Sequence, residues 1–151
     1  MTYDLIVLGA GPAGYLGAER AGRAGLSTLL VEKRNIGGVC LNEGCIPSKA
    51  LLYSAKICDS AKNGGKYGVR VQDISLDHEA VIGRKDKVVR MLVSGIKNQL
   101  KKNDVTVAEG AGEILGRNTQ GYEVKVNGEV FIGKRLLLAT GSVPVIPPIP
   151  G

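Results

Sequence analysis

Apolar residues in this chain gather in short dense runs that end at glycine-rich turns, with longer stretches of helical spacing between them. Tyr3 to Leu8, Ser27 to Val31, Val105 to Glu109 and Leu136 to Thr140 are the strand-length runs. Near-continuous apolar runs of this length suit strands buried on both faces of a parallel sheet. An alanine-rich helical pattern reaches Ala24, and Gly25 supplies the stop signal. A second helix is predicted from about Ile46 to Ala61, carrying Leu51, Leu52, Ala55 and Cys58. Asn63-Gly64-Gly65 then breaks the chain, and Tyr67 to Val71 reads as a short extended piece. Asp77 is placed to cap a long helix to about Lys102. Val88, Leu92, Ile96 and Leu100 form its apolar stripe, with Arg84, Lys85, Lys87, Arg90, Lys97 and Lys101 largely elsewhere as a solvated face. Tyr122–Val126 and Glu129–Ile132 flank Asn127-Gly128, the signal of a type I′ hairpin. The pattern predicts an α/β fold: one Rossmann-like parallel sheet with flanking helices and an antiparallel β-hairpin outside it. Right-handed crossovers are expected.

The first turn changes the picture from architecture to ligand. Gly9-Ala10-Gly11-Pro12-Ala13-Gly14 follows the first strand at once and opens the first helix. In such a unit Gly9 permits the tight turn, Gly11 lets backbone approach a pyrophosphate, and Gly14 lets helix and strand pack closely. The helix N-terminus faces the phosphates. Glu32 ends the second strand, where a carboxylate accepts hydrogen bonds from an adenosine ribose. A glycine motif alone is weak; strand, motif, helix, strand and acid in this order point to a dinucleotide. Gly110 to Gly116 superficially repeats a phosphate loop, but no helical pattern follows it, and it is rejected as a second nucleotide motif.

Composition narrows the class further. At 151 residues with 44% hydrophobic content the chain is about one domain long. Its 22 glycines suit repeated tight turns. The formal charge of +6 favours anionic ligands. With no tryptophan and one phenylalanine, base stacking as in nucleic-acid binding is not central. No signal peptide or membrane-length apolar run is visible. Three cysteines are too few for a secreted disulfide scaffold, so a cytoplasmic setting is expected. His78, the single histidine, sits at the start of the long helix and is given no catalytic role; no metal site is expected.

The richest stretch is Gly37 to Leu51, Gly-Gly-Val-Cys-Leu-Asn-Glu-Gly-Cys-Ile-Pro-Ser-Lys-Ala-Leu. In an ideal helix, residues five apart are rotated by roughly 140° and lie roughly 8.7 Å apart. A disulfide cannot bridge Cα atoms more than about 7 Å apart. If Cys40 and Cys45 pair, Cys40 therefore sits on a bent or unwound approach to the helix. Gly37, Gly38 and Gly44 allow that, and Pro47 suits a first helical turn. Cys45 then lies at the helix N-terminus, where a thiolate is stabilised, with Lys49 one turn on. Two inert buried cysteines are the bland alternative; a zinc site has the wrong spacing. Cys58 reads as a buried small hydrophobe.

As a whole this stretch resembles the redox-active disulfide segment of the flavin-dependent pyridine nucleotide–disulfide oxidoreductases. Leu41-Asn42, Ile46 and Ser48-Lys49-Ala50-Leu51 look most like the members that oxidise dihydrolipoamide. Glu43 departs from the pattern: many members have valine there, and a carboxylate between the sulfurs bears on their potential. The resemblance runs through all 151 residues in order and implies FAD as the dinucleotide. It implies that Glu32 and Lys33 meet the adenosine end, while Gly37, Gly38, Val39, Cys40 and Lys49 run past pyrophosphate and flavin. Gly112 lies near adenine by the same resemblance, and Thr140, Gly141 and Ser142 complete the pocket. Cys45 is implied to face the flavin ring and Cys40 to exchange with dihydrolipoamide.

The implied reaction of the whole enzyme oxidises dihydrolipoamide, borne on a lipoyl carrier protein, with NAD as acceptor. A related reductase of another disulfide or of mercuric ion is the nearest alternative, and a ligand-free thiol or scaffold module is the non-enzymatic one. Family members run about three times this length, so residues 1–151 are expected to be the N-terminal segment of an FAD-binding domain. The NAD domain and the dimerisation domain of the parent homodimer are not expected within it. By itself the chain is expected to be inactive and to self-associate.

Overall fold

A computed structural model describes residues 2–150. Six strands form one sheet in the order β3-β2-β1-β6-β5-β4. The parallel part comprises β1 (Thr2–Leu8), β2 (Thr28–Glu32), β3 (Thr106–Glu109) and β6 (Glu129–Leu138). Strands β4 (Gly112–Arg117) and β5 (Tyr122–Val126) continue it antiparallel beyond β6. The helices are α1 (Pro12–Arg23), the short α2 (Gly38–Asn42), α3 (Cys45–Lys62) and α4 (His78–Lys102).

The apolar runs of β1 and β2 bury both faces, as parallel strands must. Ile6, Leu8, Leu29 and Val31 share one cluster with Val124, Val126 and Phe131, so the antiparallel end curls over that face. Val7 and Leu30 point the other way, into a cluster with Ala18 of α1, Leu100 of α4, and Ile36 and Val105. Ile6, Val7, Leu29 and Leu30 have no exposed surface. Burial of each such side chain contributes about 1.5–3 kcal/mol.

The expected parallel sheet is present, but three features differ from expectation. The hairpin does not lie outside the sheet. Its second strand and the run from Leu136 are one strand, β6, which pairs with β5 through Glu129–Gly133 and with β1 through Ile132–Leu138. Gly133 makes the join: a Cβ there would stand 2.7 Å from the Ile6 side chain. Strand β4, Gly112–Arg117, is not among the expected strands; it covers most of the Gly110–Gly116 stretch rejected as a nucleotide motif. Tyr67 to Val71 is not extended: Gly64–Tyr67 is a 3-10 turn, and Gly68, at φ +80°, reverses the chain so that Val69 N–H donates to Gly64 O.

Local signals held elsewhere. Asp77 Oδ1 accepts from Ala80 N–H at 2.9 Å and caps α4. Asn127 and Gly128 have φ of +49° and +89°, the left-handed pair of a type I′ turn. On α4 the inward stripe is rotated from that expected. Leu100 is buried and Ile96 and Val88 half-buried, but Leu92 is exposed, and Val89 and Val93 share the inner face. Lys134 Nζ reaches Asp4 Oδ1 at 2.7 Å, bracing β6 on β1 and holding the Asp4 carboxyl below its ordinary range. Among the described residues, no helix is long and apolar enough to cross a membrane.

Candidate functional site

At the C-terminal ends of β1, β2 and β6 the chain leaves a cleft of about 320 Å³. This is where open parallel sheets bind ligands. It is lined by Gly9, Gly11 and Pro12 of the glycine turn, by Glu32 and Lys33, by Gly38, Val39 and Cys40, and by Thr140, Gly141 and Ser142. The glycine turn is built tightly against β6. A Cβ on Gly9, whose φ is +96°, would stand 2.3 Å from Ala139 O. One on Gly14 would stand 1.8 Å from Gly9 O, so Gly14 is where helix and turn touch. Gly11 is different: an added Cβ meets nothing within 4 Å. Its backbone has open space before it along the cleft.

The Glu32 carboxylate organises the adjoining loops. Oε2 accepts from Ala10 N–H at 2.6 Å and Oε1 from Arg34 N–H at 2.7 Å. Gly37 N–H donates to Ala10 O at 2.8 Å, and its φ of +100° turns the chain into α2. Gly38 is forced by proximity, since a Cβ there would stand 2.7 Å from Gly11 Cα. Asn42 Nδ2 donates to Ile36 O and Gly38 O at 3.1 and 2.8 Å, pinning α2 against the cleft.

Cys40 and Cys45 form a disulfide with Cα atoms 4.7 Å apart, well inside the bridging range. The bend it requires is a break between two helices: Cys40 is in α2, Cys45 is the first residue of α3, and Glu43-Gly44 lies between. Cys40 is half-buried and lines the cleft, whereas Cys45 is exposed. Cys58 is free and half-buried, more accessible than the buried site expected of it. Among the described residues no cluster of acids, cysteines and histidine is placed to hold a metal. Mild reduction is expected to raise the number of rapidly alkylated thiols by two, at Cys40 and Cys45, with Cys58 unchanged. A third thiol responding at the same rate would contradict this.

Several of the expected residues lie off the cleft. Ala13 is exposed on the first turn of α1, and Lys49 is exposed on α3. Gly37 and Gly14 act from behind the cleft surface through packing. Gly112 faces Leu8, where its missing side chain leaves room for Leu8 Cδ2. Conversely Arg34, Asn35, Asn42 and Ala139 line the cleft without having been singled out. Arg34 was signalled only by its place two residues after Glu32.

A glycine turn at the sheet's C-terminal edge, an acid on the next strand and a disulfide at a helix start thus stand together around one cleft. Residues 3–151 match the family described as pyridine nucleotide-disulphide oxidoreductase, and the chain belongs to that family. It is 44% identical over 150 residues to a dihydrolipoyl dehydrogenase of Acholeplasma laidlawii, covering 99% of this chain and 44% of the relative. It is 42% identical over 152 residues to the dihydrolipoyl dehydrogenase of Bacillus subtilis, covering 94% of this chain and 32% of that protein. Among solved structures, the HOCl-induced flavoprotein disulfide reductase RclA from Escherichia coli superposes with a TM-score of 0.79 at 28% identity. That match covers 99% of this chain and 30% of the other. The chain thus spans less than half the length of these relatives.

Proposed function

We propose that residues 1–151 are the FAD-binding, redox-disulfide portion of an enzyme that oxidises dihydrolipoamide with NAD as acceptor. The observation that carries this is one cleft that joins the Gly9–Gly11 turn, Glu32 and Thr140–Ser142 to Cys40 of the disulfide. The cradle fits the group. Gly11 leaves open space where a pyrophosphate would lie, backed by the start of α1, and Glu32 and Lys33 stand where a ribose would. When bound, FAD supplies a two-electron acceptor between a dithiol and NAD. The chain's own part is to place a disulfide against that site. In exchange, a dihydrolipoamide thiolate attacks one sulfur of the disulfide and releases the other as a thiolate. The second substrate thiol then closes lipoamide and leaves Cys40 and Cys45 reduced, so two electrons pass to the protein.

The assignment of Cys40 to exchange and Cys45 to the flavin follows the family resemblance. Exposure by itself favours Cys45 as the sulfur met from outside. Trapping decides between them: with Cys45→Ser a mixed disulfide forms at Cys40, and the reverse pattern reverses the roles. Dihydrolipoamide is preferred to glutathione disulfide or mercuric ion as substrate because the curated relatives above are dihydrolipoyl dehydrogenases. Assay of the whole enzyme against all three substrates tests it, and faster mercuric or glutathione turnover would overturn it. A lipoyl carrier partner, a homodimeric parent and a cytoplasmic setting belong to the same reading.

The 151-residue chain is further expected to self-associate. Beyond Gly133, β6 pairs on the β1 side only, and among the described residues no strand pairs with its other edge. Leu138 is 62% exposed beside it, and Val145 and Ile146 are each 88% exposed. Open edges and contiguous apolar surface both drive pairing between chains. Sedimentation at micromolar concentration should show a concentration-dependent dimer; a monomer at all concentrations contradicts this.

A further inference from the structure

Two charged residues on the cleft wall have no task in the reading above. Arg34 Nη2 donates to Glu43 Oε1 at 2.5 Å. Glu43 occupies the break between α2 and α3, so its carboxylate belongs to the segment between the two sulfurs. Arg34 is itself fixed from behind, its N–H on Glu32 Oε1, while the other Glu32 oxygen holds Ala10 N–H. Hydrogen bonds therefore link the glycine turn to the disulfide segment in two stages, Glu32 holding the Arg34 backbone and the Arg34 guanidinium holding Glu43.

Charge gives this chain a consequence. Reduction turns a neutral sulfur–sulfur bond into two thiols that ionise, so negative charge arrives next to Glu43. An uncompensated carboxylate there disfavours the thiolate and raises the thiol pKa; a cation does the opposite. A disulfide whose reduced form is stabilised is the more readily reduced. The geometry assigns Arg34 as a positioning residue that holds and neutralises Glu43, and so sets the thiol–disulfide balance of Cys40 and Cys45. This rests on the disulfide cycling proposed above.

The remaining charges around the segment are Glu32 and Lys33 along the cleft and Lys49 on α3. On α4, Arg84 donates to Ala50 O, Lys85 and Asp86 pair with each other, and Lys97 shares a hollow with Ile36. All are common to every variant below. Arg34 and Glu43 side chains are 59% and 49% exposed, so water screens the pair and the effect is modest.

The test equilibrates the chain with a glutathione buffer and counts alkylated thiols. Two glutathione thiols are oxidised to one glutathione disulfide as the Cys40–Cys45 bond takes up two electrons and two protons. At about pH 8.5, near the ordinary thiol pKa, Arg34→Gln is expected to shift the balance about two- to fivefold toward disulfide. Glu43→Gln is expected to shift it the other way. The double variant, which carries neither charge, should return close to the wild-type balance, and Arg34→Lys, which keeps the charge, should restore much of the wild-type value. The differences should contract toward about pH 6, where the thiols are protonated, a pH profile that a loss of packing would not give. Equal balances in wild type, Arg34→Gln and Glu43→Gln, or a double variant that keeps the full Arg34→Gln shift, would overturn the inference while leaving disulfide cycling intact. Failure of glutathione to reduce the wild-type disulfide at any ratio would overturn both.

Discussion

Alanine at Gly14 is expected to cost the fold about 2–3 kcal/mol, the usual price of overpacking a tight site, whereas alanine at Gly11 should barely change stability and should weaken FAD binding. The difference lies in what a single methyl meets. At Gly14 it would stand 1.8 Å from Gly9 O and 2.9 Å from Gly9 C, both backbone atoms that cannot rotate away. Helix α1 would have to lift from the β1 turn, and the roughly 1 kcal/mol that alanine gains over glycine in a helix does not offset this. At Gly11 the backbone is ordinary, with φ −69° and ψ −177°, and the methyl meets nothing within 4 Å. The cost there is about 1 kcal/mol or less, from helix-start preference. Yet the methyl occupies the space through which a pyrophosphate must approach, and a loss of about tenfold or more in FAD affinity, roughly 1.4 kcal/mol, is expected. Denaturant midpoints and FAD titrations of the two variants check both halves. Equal stability, or a Gly11→Ala chain that binds FAD as well as wild type, would contradict the account of the turn.

The second large effect concerns turnover. The 151-residue chain by itself is expected to oxidise dihydrolipoamide with NAD at least about 10²-fold more slowly than the whole enzyme, because general acid–base assistance is worth about 10²–10⁴-fold. The carboxylates and the cysteine on the cleft wall are already engaged. Glu32 is held by two backbone N–H groups, Glu43 by Arg34, and Cys40 by its disulfide. His78 begins α4 and is not among the residues of the cleft. Steady NADH formation by the pure chain at the rate of a whole relative would contradict this.

Much of this was legible in the sequence because the informative residues act locally. Gly9, Gly14 and Glu32 belong to one βαβ unit, where Gly9 and Gly14 make the close backbone approaches expected of them, and pairing of Cys40 with Cys45 required a break in the helix. Asn127-Gly128 named its own turn. What escaped the sequence depends on long-range packing. That Gly133 lets the hairpin and the parallel strand merge into β6 is decided by Ile6, more than a hundred residues away in the chain. The rotation of the α4 stripe is set by the surfaces of α1 and α3, which periodicity does not report. Arg34 is an ordinary surface arginine until Glu43 is brought to it by the α2–α3 break.

Addition of FAD to the reduced and the oxidised chain, followed by gel filtration and a visible spectrum, is the most direct test of the central claim. The account predicts about one flavin retained per folded chain, as one cleft at one switch point implies, with retention lost in Gly11→Ala before the fold is. A natively folded chain that retains no flavin in either redox state would contradict it.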